Sequence, residues 1–195
     1  MTPRFRGRAV LLEETLVCAD LHLGRAETSA VEGPVGDGRD VRDRLEALCT
    51  AHDPETVVLA GDVLHAFETI PRGVERRVGE IRERVTASGA ELVVLGGNHD
   101  ALLDQVWDGP VADHYRLDAE TVVVHGHEDP GVDADRYVLG HDHPVIEIET
   151  QRHPCMLRGP GGPNDAAVIV LPAFNRFTAG GVINNLHARE FQSPL

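Results

Sequence analysis

Lysine is missing altogether: the 18 basic residues are all arginine, set against 32 aspartates and glutamates for a net charge of −14. The acids are spread along the chain rather than gathered in one place. That pattern fits a uniformly acidic surface suited to a salt-rich cytoplasm better than a site for one basic partner. At molar salt the Debye length shrinks to about 3 Å, so the acidic balance neither supports nor excludes a nucleic-acid substrate. Also lacking is any apolar run near the roughly 18 residues of a membrane span. The basic start, Met1-Thr2-Pro3-Arg4-Phe5-Arg6, is followed by no apolar signal core, so a cytoplasmic protein with no membrane partner is expected. Cysteine is scarce. Cys18, Cys49 and Cys155 are an odd count without close spacing, which argues against a disulfide framework and leaves Cys18 and Cys49 as packing residues. The remaining composition, 195 residues of which 42% are hydrophobic, is that of one domain over residues 1–195 with a substantial core.

Short apolar runs divide the chain. Arg8 to Leu12 and Thr15 to Ala19, separated by Glu13-Glu14, read as a strand pair. Residues 26–40, with Gly33, Pro34, Gly36, Asp37 and Gly38, read as an exposed loop placed to act as a rim or lid. Val41, Leu45, Leu48 and Cys49 recur at helical spacing, as do Val74, Val78, Ile81 and Val85, with Ser88-Gly89 closing the second helix. Between and after these helices lie the buried-strand runs Val57 to Ala60 and Glu91 to Leu95. Strand, helix, strand, helix, strand implies parallel pairing through right-handed crossovers. Beyond Ala101 the pattern changes. Thr121 to Val124, Tyr137 to Leu139, Val145 to Ile148 and Ala167 to Leu171 are strand-like and have no long helices between them, so a second sheet packed on the first is expected. Gly159 to Asp165 reads as a hairpin loop.

Five of these runs end in side chains that ligate metals: Asp20 with His22; Asp62; Asn98, His99 and Asp100; His125; and His141 with His143. Ligand sites of open α/β sheets lie at the carboxyl ends of strands. Carboxylate oxygens and imidazole nitrogens suit Mn, Fe, Zn and similar divalent ions. A lone D-x-H is more often a turn or a cap, and with eleven histidines some pairs arise by chance. Five elements in succession, each following an apolar run, do not fit that explanation.

The ordered set D-x-H, G-D, G-N-H-D, H and G-H-x-H over residues 20–143 resembles the calcineurin-like metallophosphoesterases. The resemblance implies an α/β fold: a two-sheet β-sandwich flanked by helices in α/β/β/α layers. It implies two divalent ions, Mn²⁺ first, with Fe, Zn, Ni and Co in the same ligand class. Asp20, His22 and His143 would hold one ion, Asn98, His125 and His141 the other, and Asp62 would bridge them. A hydroxide on the metals would attack phosphorus, while His99 would contact the phosphoryl group and protonate the leaving oxygen, with Asp100 as its orienter. Four stretches carry a finer resemblance to the SbcD-related phosphoesterases and their small DNA-ligase-associated group: residues 19–24, 61–65, 140–144 and Leu171-Pro172-Ala173-Phe174-Asn175. In that group a histidine at the place of His65 helps position substrate, and Arg25 is a candidate contact for a substrate phosphate; a helix-start or loop histidine and an exposed, solvating arginine are the alternative readings of the two. The implied substrate is a phosphate ester, with DNA and nucleotides among the candidates. The alternatives are a small-molecule phosphatase, a cyclic-nucleotide phosphodiesterase, or a scaffold that has lost catalysis, and the last is disfavoured because every ligand is present. His52, His114, His127, His153 and His187 match no block and read as structural or surface residues.

Overall fold

The computed structural model describes residues 2–25, 38–187 and 190–194. Most of the loop expected over residues 26–40 lies outside the described residues; Arg39 and Asp40 instead open a helix. The first sheet runs in the order β1 (Arg4–Arg6), β2 (Ala9–Leu12), β3 (Thr15–Cys18), β4 (Thr56–Ala60), β5 (Glu91–Leu95). Its first two pairings are antiparallel, and β3, β4 and β5 are parallel. Helix α1 (Arg39–His52) connects β3 to β4, and α2 (Val74–Ala87) connects β4 to β5.

Alternation along each strand divides the core. Ala9, Leu11, Leu16, Cys18, Val57 and Leu59 share one cluster with Val41, Leu45 and Cys49 of α1 and Val74, Val78, Ile81 and Val85 of α2. The residues between them, Val10, Leu12, Val17, Val58 and Ala60, point the other way. There they meet Val123, Val138 and Ile169 of a second sheet built from β6 (His114–Arg116), β7 (Thr121–Val124), β8 (Arg136–Leu139), β11 (Leu157–Pro160) and β12 (Ala167–Val170), in the order β11-β12-β8-β7-β6. A three-stranded sheet, β10 (Gln151–Pro154), β9 (Pro144–Ile148) and β13 (Gly181–Val182), completes the β structure. No helix among the described residues is long and apolar enough to cross a membrane.

The two packed sheets match expectation, and the layering differs in one respect. Both described α-helices lie on the first sheet. Among the described residues, the outer face of the second sheet (Val122, Val124, Tyr137, Leu139, Val170) is covered by loop residues such as Val132, Ala134 and Ala166 rather than by a helix. The unforeseen strands have a common cause. β1 and β10 are exposed throughout, and β6 and β11 are exposed at alternate or flanking positions. Backbone pairing holds them, and pairing without burial leaves no apolar pattern. Gly159 and Pro160 belong to β11, so the expected loop narrows to the turn joining two antiparallel strands.

Candidate metal centre

The carboxyl ends of β3, β4 and β5 in one sheet, and of β7 and β8 in the other, converge on one place. The turns that follow them are bent unusually hard. Asp20, His22, Asp62, His141 and His143 all have positive φ, between 44° and 66°, a region that side chains other than glycine seldom occupy and that clusters at functional sites. In D-x-H and H-x-H alike the first and third residues are both left-handed. This bend defeats strand alternation and turns both side chains of each pair inward. Two glycines permit the close approach of neighbouring turns. A Cβ on Gly97 would stand 2.3 Å from the Asp62 amide nitrogen and Oδ1, and one on Gly140 would stand 2.5 Å from Asp20 Oδ2. Gly97 therefore serves proximity rather than a left-handed turn.

The donor atoms crowd together. One ligand atom from each of Asp20, His22, Asp62 and His143 falls within 4.8 Å of the others. Nε2 of His22 and Nε2 of His143 face each other at 3.3 Å, and His143 Nε2 lies 3.1 Å from Asp20 Oδ1. Beside this group, His125 Nε2 lies 3.4 Å from Asp62 Oδ1 and 3.1 Å from Asn98 Oδ1, and the rings of His125 and His141 are 5.1 Å apart. His125 Nδ1 donates to the Ala60 carbonyl at 3.0 Å, an arrangement that leaves Nε2 as the free donor atom.

Two carboxylates, Asp20 and Asp62, are buried in this space. Burial, with the nearby charges of Asp20 and Asp100, pushes Asp62 up to about 8. Burial works the same way on Asp20, but the hydrogen bond from His143 and the surrounding histidines take it below its ordinary value. Burial holds His22 down to about 3 and His125 to about 4, and it lowers His141 as well. The imidazoles are therefore neutral at physiological pH, as metal ligands must be. Nδ1 of His22 is buried without a partner. Imidazoles that face one another over buried carboxylates have little to gain from each other, and a divalent cation satisfies both.

Asp100 requires a correction. It was expected to orient His99, yet its carboxylate accepts the amides of Leu64 (2.8 Å), Val63 (3.3 Å) and Gly97 (3.0 Å). It ties the turn after β4 to the turn after β5 and acts on the backbone, not on an imidazole. The amide of His99 itself donates to Asp62 Oδ1 at 2.9 Å, and its Nε2 lies 3.8 Å from Asp62 Oδ2. The His65 and His99 rings stack at 5.1 Å, and both stand edge-on to His22. Burial lowers both His65 and His99, and the charge of Arg25 adds to the effect on each, which puts Arg25 at this side of the site. His127, read as structural or surface, lies 5.2 Å from the His125 ring, at the edge of the cluster.

The C-terminal Leu-Pro-Ala-Phe-Asn stretch acts on the first ligand turn. Asn175 is buried; its Nδ2 donates to the carbonyls of Leu21 (2.9 Å) and His22 (3.3 Å), while its Oδ1 accepts the Phe177 amide. The amides of Phe174 and Asn175 donate to the carbonyls of Ala19 and Asp20. Arg8 in turn donates to the carbonyls of Ala173 and Asn175, and Arg44 donates to that of Phe174 while lying 4.1 Å over its ring. The sequence marked this stretch by resemblance, without a physical role. Phe67, which stands against His99, carried no signal there at all.

Among solved structures, the chain is similar to the nuclease MPE of Pseudomonas putida, with 27% identity, a TM-score of 0.70, and coverage of 93% of this chain and 86% of that one. It is also similar to YfcE, a phosphoesterase from E. coli, at 18% identity and a TM-score of 0.45, covering 81% and 77% of the two chains. No curated protein matches it in sequence. The calcineurin-like phosphoesterase model matches residues 14–130, a span that reaches from the Asp20 turn through His125. With four of the five converging turns inside that match, the chain belongs to the calcineurin-like phosphoesterases and is a metal-dependent hydrolase of phosphate esters.

Proposed function

We propose that the chain hydrolyses phosphodiesters, nucleic-acid strands among them, at a centre of two divalent ions. The observation that carries this reading is the facing pair His22 and His143 set over the buried carboxylates of Asp20 and Asp62. Asp20, His22 and His143 would hold one ion and Asn98, His125 and His141 the other, with Asp62, within reach of both groups, shared between them. Bound there, such ions neutralise charge on the phosphoryl oxygens and lower the pKa of a coordinated water toward neutrality. The diester reading draws support from the likeness to a protein described as a nuclease.

The chain's own residues do the rest. His99 Nε2, at the edge of the carboxylate pair, carries the proton for the leaving oxygen. Burial, with the charges of His143 and Arg25, lowers its affinity for a proton. An arriving phosphate anion works the other way and favours the protonated imidazole that the leaving oxygen needs. His65 buttresses the His99 ring, and Arg25 supplies positive charge for the phosphate. Asp100 holds the two turns in register. Purified protein with Mn²⁺ is expected to hydrolyse bis-p-nitrophenyl phosphate. A panel at high salt of single- and double-stranded DNA, RNA, cyclic nucleotides and phosphomonoesters then fixes the substrate class. Absence of turnover with every divalent metal overturns the enzyme reading, and exclusive action on monoesters overturns the diester reading.

A further inference from the structure

Phe67 lies on the loop between the Asp62 turn and α2, and the residue is 60% exposed, more than any other large hydrophobic residue among the described residues. It is not stranded at random. Its centroid stands 4.9 Å from that of His99, at 61°, and 5.4 Å from that of His65, at 75°. With His65 stacked on His99, the three rings form one continuous wall. The wall starts at His99, whose Nε2 is 3.8 Å from the Asp62 carboxylate, and it ends in solvent at Phe67.

We infer that Phe67 is a stacking platform for the planar base on the leaving-group side of the scissile phosphodiester. The inference rests on the phosphodiesterase reading above and narrows it. If His99 protonates the leaving oxygen, whatever is attached to that oxygen must pass the imidazole, and the next surface it meets is Phe67. A phenyl ring offers no hydrogen bond, so it reads flatness and not base identity. It meets His99 in a T-shaped pair rather than a stack, and its exposure leaves ring surface open for a further aromatic partner. A side chain that served only to prop His99 would be covered on its other sides, and this one is bare. Bases inside a duplex have both faces occupied, so the platform selects single-stranded or frayed substrate.

The test uses single-stranded oligonucleotides with one hydrolysable phosphodiester, methylphosphonate linkages elsewhere, and a base or an abasic sugar on either side of that linkage. The full chain loaded with Mn²⁺ is expected to lose about tenfold in kcat/KM when the base is removed from one side and little when it is removed from the other, in line with base–aromatic stacking. Phe67→Ala is expected to bring that preference close to unity, Phe67→Trp to keep it, and Phe67→Leu to lose it. A preference unchanged in Phe67→Ala, or none in the wild type, overturns the platform while leaving the phosphodiesterase standing. Oligonucleotides left intact by protein that still turns over bis-p-nitrophenyl phosphate overturn the nucleic-acid reading and the platform with it.

Discussion

At the scale of single residues, Asp62, His99 and Asp100 divide labour in a way their spacing did not settle. Asp62 receives the His99 amide on one oxygen and faces imidazoles with both. Asp100 is spent on three backbone amides. The His99 ring is thus steadied by its neighbouring rings rather than by Asp100, which leaves it available for the proposed proton transfer. His99→Ala is expected to cut turnover by at least about 100-fold, the ordinary weight of general acid catalysis, with metal content near that of the wild type. Metal analysis beside the assay checks this, and loss of bound metal would make His99 a ligand and reverse its role. The blocks that converge, and their order, were legible because each follows an apolar run. The role of Asp100 was not, because neighbours in sequence need not be partners in space.

At the scale of elements, the strands that bury side chains were readable and those that only pair were not. β4 and β5 announced themselves as apolar runs, whereas β10, exposed at every position, offered nothing to read. The sharp turns were half legible. D-x-H required a bend, and the five left-handed residues supply it. The Asn175 clasp was invisible in physical terms, since its partners lie 154 and 153 positions away. Asn175→Leu keeps the volume but strands two carbonyls, so it is expected to cost about 2–3 kcal/mol of stability. Metal affinity should fall about 10- to 100-fold, as when the support of a ligand is removed. Denaturation and metal titration together check this. Unchanged metal affinity in a destabilised variant would reduce the clasp to a packing device.

At the scale of the whole molecule, the centre links folding, metal and pH. Without ions, Asp62 is pushed up to about 8, above its ordinary 3.8, so the stability it allows is full at low pH and is lost as pH rises toward 8. His22 and His125 work in the opposite sense, but their contribution is complete above their ordinary value of 6.5. From pH 6.5 to about 8 the Asp62 effect is therefore left to dominate at this centre. Chelated protein is expected to lose thermal stability across that window, and saturating Mn²⁺ to abolish the slope and add about 3 kcal/mol at 100 times its Kd. Melting curves in chelator and in Mn²⁺ decide it, and stability that is flat or rising in chelator would contradict the buried-carboxylate account.

The clasp also sets a schedule. Asp20 and His22, the proposed ligands of the first turn, lie far upstream of His141, His143 and the Asn175 that fastens that turn. A nascent chain short of Asn175 has the β3–β4 scaffold without its clasp, so on the proposed ligand set the cage closes only once Asn175 has been made. Chain order then makes the last-made clasp, and not the first-made ligand turn, the step that completes the proposed site.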